Sequence, residues 1–530
     1  MKKTGIFLGF QPGDNISIHG IGRLLAFMLK ERKMTTNDDI VLFCPAWLTE
    51  SLNLLLKDNK ITEDRFEIVT TSSIPYGVKM KNYWSNRKKA KREVSRIRQF
   101  FSKYIYKTKN LTKSLLADLF STSSWLMFIM KIFCYALVAL ISSPFLIIVS
   151  ILYAFCRLIK FTKRKLLGFF KRPSPQLKSI KSLIIKGRGI IYQAVLDNEM
   201  NKLVKLVNNR KDVKVCFIPS MTWSQIKNLN CKKVLAAPDI VFYDFPTQFP
   251  GVINIHKRIR ISISSADHLI TYSEHVKRQH LMDKCGVEPK KITVIKHANI
   301  DMNPYLSVPK AIKGYLTPSE NAQQIVKRHI HSKYGPGHVL YNCDLEKLDC
   351  LIYSSQYRSH KNIFNLIKAI KIINRDMHHS VKLILTGDIT NVNYLQDYIK
   401  LNYLENDVIV MHNISSEMLA AINRLSKCSV NPTLFEGGFP FTFSEAYSVG
   451  TPSVMSDIKV VSSEIEDPNL RNLMLFDPYN PYSIAKKVIW ALENTQDLYF
   501  AQADLYGKFN RRDWKVVANE YNQVFNEIIV

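Results

Sequence analysis

The sequence lacks several features that would have classified it at once. Its nine cysteines, Cys44, Cys134, Cys156, Cys216, Cys231, Cys285, Cys343, Cys350 and Cys428, form no CxxC pair and accompany no close pair of histidines. That argues against a zinc site and a disulfide framework, and the thiols read as reduced and cytosolic. There is no internal repeat and no low-complexity tract. The opening MKKTGIFLGFQPGDN has two lysines and a short apolar run, but Gln11, Pro12 and Asp14 arrive too soon for a signal-peptide core, so the run reads as a first buried strand.

Acid is scarce in one place above all. The chain carries 74 Lys and Arg against 44 Asp and Glu, a formal charge of +30. Residues 79–189 hold 25 Lys and Arg against two acids, Glu93 and Asp118, so about +23 of the excess sits in one fifth of the chain. Inside this region charge disappears altogether: Ile132 to Cys156 is 25 residues without a charged side chain. At about 20 residues per span, that is long enough to cross a bilayer. Basic clusters flank it on both sides, however, and such flanks stay on the cytoplasmic face. Pro144, at the midpoint, would kink the helix or split it in two. A membrane-dipping hairpin or interfacial helices, with the basic residues on anionic headgroups, is therefore expected ahead of a single span or of buried helices with a solvated face. Nucleic acid is not the expected partner, because the charge is joined to apolar helix rather than to a DNA- or RNA-binding module.

What remains alternates between strand and helix. At 530 residues the chain exceeds one ordinary domain, and two domains plus an insertion are expected. TGIFLGF, DIVLFCPAW, VKVCFIPS, KKVLAAPD and HLITYS read as strands of one parallel α/β domain, and DCLIYSS, SVKLILTGD, DVIVMHN, KCSVNPT and PSVMSD as those of a second. The boundaries follow: 1–78 and 190–302 for a split N-terminal Rossmann-like domain, 79–189 for the insertion, and 303–344 for a polar connector with a helix and the YGPGH turn. A C-terminal Rossmann-like domain spans 345–505, and 506–530 form a helix crossing back to the first domain. Two doubly wound domains facing a cleft are the expected architecture.

The segment LFEGGFPFTFSEAYSVGTPSVMSDI, residues 434–458, follows the strand KCSVNPT as a loop, then a helix over 442–449 closed by Gly450. Ligands of open α/β sheets gather at such strand ends. Gly437 and Gly438 let backbone N–H groups come close to a ligand, and the helix start favours an anion. Glu436 and Glu445 accept hydrogen bonds only, which suits sugar hydroxyls. The combination is shaped for a sugar phosphate. A simpler reading makes Thr442-x-x-Glu445 a capping box and the glycines an ordinary turn.

NPTLFEGGFPFTFSEAYSVGTPSV resembles the E-x7-E signature of retaining GT-B glycosyltransferases of group 1, the family 4-like type. HGIGR, ADHLITYSEHVKRQHLMDKCGVEPKKITVIKHA, SSQYRSHKNIFNLIKAI, LILTGD and FDPYNPYSIAKKV fit the family's order. The resemblance implies a GT-B fold, a nucleotide-diphosphate sugar as donor, a glycan or lipid-linked acceptor, no cofactor and no metal; no Asp-x-Asp sequence is apparent. Glu436 would hold donor-sugar hydroxyls and Glu445 the ribose. The amides near Gly437, Gly438 and Phe439 would face the sugar or diphosphate, Arg358 and Lys361 the diphosphate, and Gly20 and Gly22 would form the N-domain glycine loop. The sequence departs from the pattern in three places. Eight residues separate the glutamates, Gln356 stands where the family's arginine is usual, and Asp239 is the nearest polar residue to the missing N-domain histidine. His297 reads equally well as a packed side chain or a ligand. The expectation is a retaining hexosyltransferase of cell-surface polysaccharide or lipopolysaccharide biosynthesis on the cytoplasmic face of the inner membrane. The alternative is a catalytically degenerate GT-B protein that binds a glycan or a partner.

Overall fold

The structure is a computed structural model and describes residues 3–14, 16, 20–35, 40–62, 66–83, 115, 126–137, 175–248, 251–307, 316–334, 340–341 and 345–529. It divides into two compact units, Met1–Ser72 with Met200–Val530, and Ser73–Glu199.

The larger unit is built on two parallel sheets. The first comprises β1 (Lys3–Phe7), β2 (Ile40–Cys44), β3 (Phe66–Thr70), β4 (Val213–Ile218), β5 (Lys232–Ala236), β6 (His268–Thr271) and β7 (Ile292–Val294) in the order β3-β2-β1-β4-β5-β6-β7. The second comprises β8 (Asp349–Tyr353), β9 (Val381–Leu385), β10 (Val408–Val410), β11 (Cys428–Asn431), β12 (Ser453–Ser456) and β13 (Leu475–Phe476) in the order β10-β9-β8-β11-β12-β13. In both, the order reverses after the third strand, when the chain crosses to the other side of its first, so that β1 neighbours β4 and β8 neighbours β11; such a reversal opens a crevice at the carboxyl ends of the strands. The inner strands are largely buried because helices cover both faces of a parallel sheet. All five residues of β2 and all four of β11 are buried. In the C-terminal sheet the helices Ile363–Lys371 and Pro481–Glu493 bury Leu366, Ile370, Ile484 and Val488 in one core with Leu351 and Leu383.

The last helix, Trp514–Ile529, returns to the first sheet. Tyr521 and Phe525 meet Phe217 of β4 at ring distances of 5.5 and 5.8 Å, and Trp514 stacks on Phe27 of the helix Gly20–Thr35 at 4.2 Å. Each buried aromatic of this kind is worth roughly 1.5–3 kcal/mol in removed apolar surface. The chain also crosses between the domains at 296–302, where Trp514 Nε1 donates to Asn299 O (3.0 Å), Asn299 Nδ2 to Tyr506 O (3.1 Å) and Ile300 N to Ser444 Oγ (3.0 Å).

In the smaller unit, Lys81 Nζ sits 3.8 Å from the Tyr192 ring centre, and the segment 126–137 is helical. Leu126, Met130 and Phe133 are exposed on it. Of the uncharged run from Ile132 to Cys156 only residues 132–137 are described, so the membrane expectation falls almost wholly outside the described residues, as does most of the YGPGH turn. Among the described residues no helix is long and apolar enough to cross a membrane, and the seven cysteines described, of the nine in the sequence, are free thiols.

Candidate functional site

A cleft of about 420 Å³ lies at the carboxyl ends of both sheets. Its N-terminal wall comes from Gly9–Gln11 after β1, Ser220 and Thr222 after β4, Pro238 and Asp239 after β5, and Tyr272 after β6. Its C-terminal wall is Arg358, after β8, and Glu436 to Phe441, after β11.

The loop after β8 turns sharply. Ser359–Lys361 form one 3₁₀ turn, and Asn362 takes a left-handed φ of 56°, a conformation that asparagine tolerates better than most residues. Its Nδ2 donates to Pro432 O (2.9 Å) and Pro478 O (2.7 Å), tying together the ends of β8, β11 and β13. The turn aims Lys361 at the neighbouring loop, where its Nζ meets Glu436 Oε1 at 2.5 Å with both side chains largely shielded. Arg358 is exposed and lines the cleft.

The helix of the 434–458 segment runs Phe441–Tyr447 with Pro440 as its N-cap and no side-chain cap. The capping box is therefore absent: Thr442 lies inside the helix, and its Oγ1 accepts from Asn431 Nδ2 at 3.0 Å instead. Glu445 is buried, 2% exposed, and accepts from Ser354 Oγ at 3.4 Å. It stands at the end of β8 and is not among the residues lining the cleft. Gly450, at φ 94°, closes the segment, with Thr451 N donating to Ala446 O.

Neither Gly437 nor Gly438 has a positive φ. They are required for close approach. A Cβ at 437 would lie 2.2 Å from the Pro238 carbonyl oxygen, and one at 438 would lie 3.0 Å from Tyr272 Cβ. Ser273 Oγ donates to Gly437 O at 2.8 Å. The glycines thus bring the Glu436 loop against the N-terminal domain, beside Asp239. Burial pushes the Asp239 carboxyl above its usual range against the pull of Arg358 and Lys361, and Glu436 adds to the rise. Phe439 lines the cleft and packs on Phe443 and Phe509 at 5.5 and 4.7 Å.

Gly20 opens the helix Gly20–Thr35, and Gly22 sits against the chain's own backbone, where a Cβ would lie 1.6 Å from Ile16 O. Among the described lining residues is the N-terminal glycine Gly9, whose carbonyl accepts from Trp223 Nε1 at 2.5 Å; a Cβ there would strike the indole. His297 also lines the cleft, its ring 4.1 Å from Tyr272 and 4.9 Å from Phe441, and burial, with Arg512 second, pushes it down to about 3, so it is neutral near pH 7. Sequence reading passed over Gly9, Asn362, Tyr272 and Ser273. Of these only Asn362 carried a local signal, an asparagine directly before a helical run. Among the described residues no group of three or more His, Cys, Asp or Glu is arranged to hold a metal ion.

No curated protein matches the chain. Its fold is similar to that of Anabaena Alr3699/HepE in complex with UDP-glucose, with a TM-score of 0.56 at 12% identity over 99% of each chain. The same protein in complex with UDP and glucose gives 0.55 at 12% identity over 99% of this chain and 100% of that one. A glycosyltransferase from Rickettsia africae ESF-5 gives 0.53 at 12% identity over 100% of this chain and 99% of that one. Residues 345–504 match the family model described as Glycosyl transferases group 1. The chain therefore carries a group 1 glycosyltransferase domain at residues 345–504 within a two-domain GT-B fold.

Proposed function

We propose that this protein moves a hexose-type sugar from a nucleoside diphosphate sugar to a glycan acceptor with retention of configuration. The acceptor is lipid-linked, and transfer takes place at the cytoplasmic face of the membrane. The observation that carries the reading is the meeting of Arg358, Glu436 and Asp239 around one cleft, with Lys361 bonded to Glu436 behind it, at the reversal points of both sheets. The Anabaena structures were determined with UDP, glucose or UDP-glucose, which favours a uridine nucleotide here too.

The chemistry follows from the charges. When the sugar–phosphate bond breaks, negative charge grows on the leaving diphosphate, and fixed cations stabilise it. Lys361 exchanges Glu436 for that diphosphate, which frees the carboxylate to accept from sugar hydroxyls. Arg358 supplies the second cation in place of the usual arginine. Glu445, buried against Ser354 beside the cleft, takes the ribose hydroxyls in place of the Ser354 hydroxyl when donor binds, and Asp239 accepts from a sugar hydroxyl on the N-terminal side. Residues 79–189 bring the protein to the anionic surface where a lipid-linked acceptor resides.

The test is release of UDP from a panel of UDP sugars by the purified chain. Lys361→Ala and Arg358→Ala are each expected to lower kcat/KM at least about tenfold, as for loss of a charge-assisted contact to a developing anion. Glu445→Gln should weaken UDP binding about tenfold and leave the melting temperature nearly unchanged, since the isostere retains the packing. The second reading, a glycan-binding protein without catalysis, is favoured by the Lys361–Glu436 pair and by Gln356. It prevails if wild type binds UDP but releases none from any UDP sugar.

A further inference from the structure

His280 lies in the π-wound stretch Val276–Lys284 of the N-terminal domain and is completely buried. Its Nδ1 accepts from the backbone N–H of Ile240 at 3.3 Å, so the ring proton resides on Nε2, which donates to Asp244 Oδ2 at 2.9 Å. Asp244 is fixed in turn by Lys284, whose Nζ donates to Oδ1 at 2.6 Å. Burial works against the Asp244 carboxylate, but His280 and Lys284 outweigh it and hold the group down at about 2. The face of the His280 ring lies parallel to Phe435, 3° between planes and 5.4 Å between centres.

These contacts fall one residue from each of two carboxylates. Ile240 follows Asp239, and Phe435 precedes Glu436. The loop carrying Asp239 belongs to one sheet and the loop carrying Glu436 to the other, and Pro238 and Gly437 meet between them. We infer that His280 is a positioning residue that links the Asp239 loop to the Glu436 loop, its Nδ1 holding one and its ring face the other. Ser273 supports the same junction, accepting from Val276 N at 3.3 Å while donating to Gly437 O. The inference deepens the transfer reading, since it gives the two carboxylates a fixed separation across the cleft.

Three variants of the full chain separate the two halves of the link. His280→Asn retains an acceptor near the Nδ1 position and loses the ring. His280→Phe retains the ring and loses the acceptor. His280→Ala loses both. Amide hydrogen exchange of the peptides covering 239–244 and 434–438 is the readout, because local opening is measured there directly. The alanine variant is expected to exchange about tenfold faster in both peptides with β1 and β8 unchanged. Asparagine should restore 239–244 alone, and phenylalanine 434–438 alone. Equal exchange in 434–438 for wild type and His280→Ala overturns the link, and so does failure of all three variants to fold, which would make His280 a general core residue. On a UDP sugar that wild type turns over, His280→Ala should lose kcat about tenfold with KM little changed. The exchange readout needs no donor, so a chain without transferase activity overturns the proposed function and leaves this link standing.

Discussion

At His297 burial decides the charge, and the consequence is a pH dependence that carboxylates do not produce. Its pKa is pushed down to about 3, and burial, with Lys361 and Arg358 adding to it, pushes His360 down to about 3 as well. In the unfolded chain both return to about 6.5. Between those values the unfolded state binds protons that the native state refuses, so stability is complete above about pH 6.5 and falls as pH drops towards 3. Carboxylates with depressed pKa values, such as Asp244 at about 2, contribute only below about pH 5. The loss between pH 6.5 and 5.5 therefore belongs to the histidines. His297→Phe, which retains the ring between Tyr272 and Phe441, should show a smaller drop in melting temperature from pH 7.5 to 5.5 than wild type. An identical drop would mean that His297 is not neutral in the fold.

The elements that carry the site differ in how far their residues announce them. Inner strands such as β2, β4 and β8 are covered on both faces and carry apolar runs of at least four residues, IVLFC, VCFI and CLIY, so they were legible. The three strands missing from the sequence reading, β3, β7 and β13, all lie at sheet edges. There the pattern is diluted: β3 has no buried residue, and β13 is two residues long. The Glu436 loop was legible as a ligand loop from its glycines and glutamates. What those glycines touch was not, because the partner of Gly437 is Pro238, far away in the chain. The capping reading of Glu445 failed because Pro440 set the helix start two residues earlier than Thr442 suggested. Gly437→Ala tests the junction at this scale. The Cβ would meet a backbone oxygen at 2.2 Å, which no side-chain rotation can relieve, so the loop must lift from Asp239. UDP-sugar turnover should fall more than about tenfold. Gly507→Ala, with nothing within 4 Å of the new methyl and a helical backbone, should be neutral or stabilising by about 0.5–1 kcal/mol. Equal activity of the two variants would show that the close approach is dispensable.

For the whole molecule the uneven charge sets the expected behaviour. The full chain should sediment with vesicles containing anionic lipid and be released as salt rises, because basic residues near such a surface contribute about 1 kcal/mol each until screened. A chain with 79–189 replaced by a short linker should remain in the supernatant and still bind UDP, since the cleft residues lie outside that segment. Vesicle binding by the shortened chain would place the membrane contact elsewhere. The return of Trp514–Ile529 to the first sheet also orders events on the ribosome. A nascent chain has made β1 long before β4, its partner across the insertion, and acquires Tyr521 and Phe525 only after every strand of the second sheet has been synthesised. The C-terminal domain can close its core while the N-terminal sheet still exposes Phe217, so the domain made first is the one completed last.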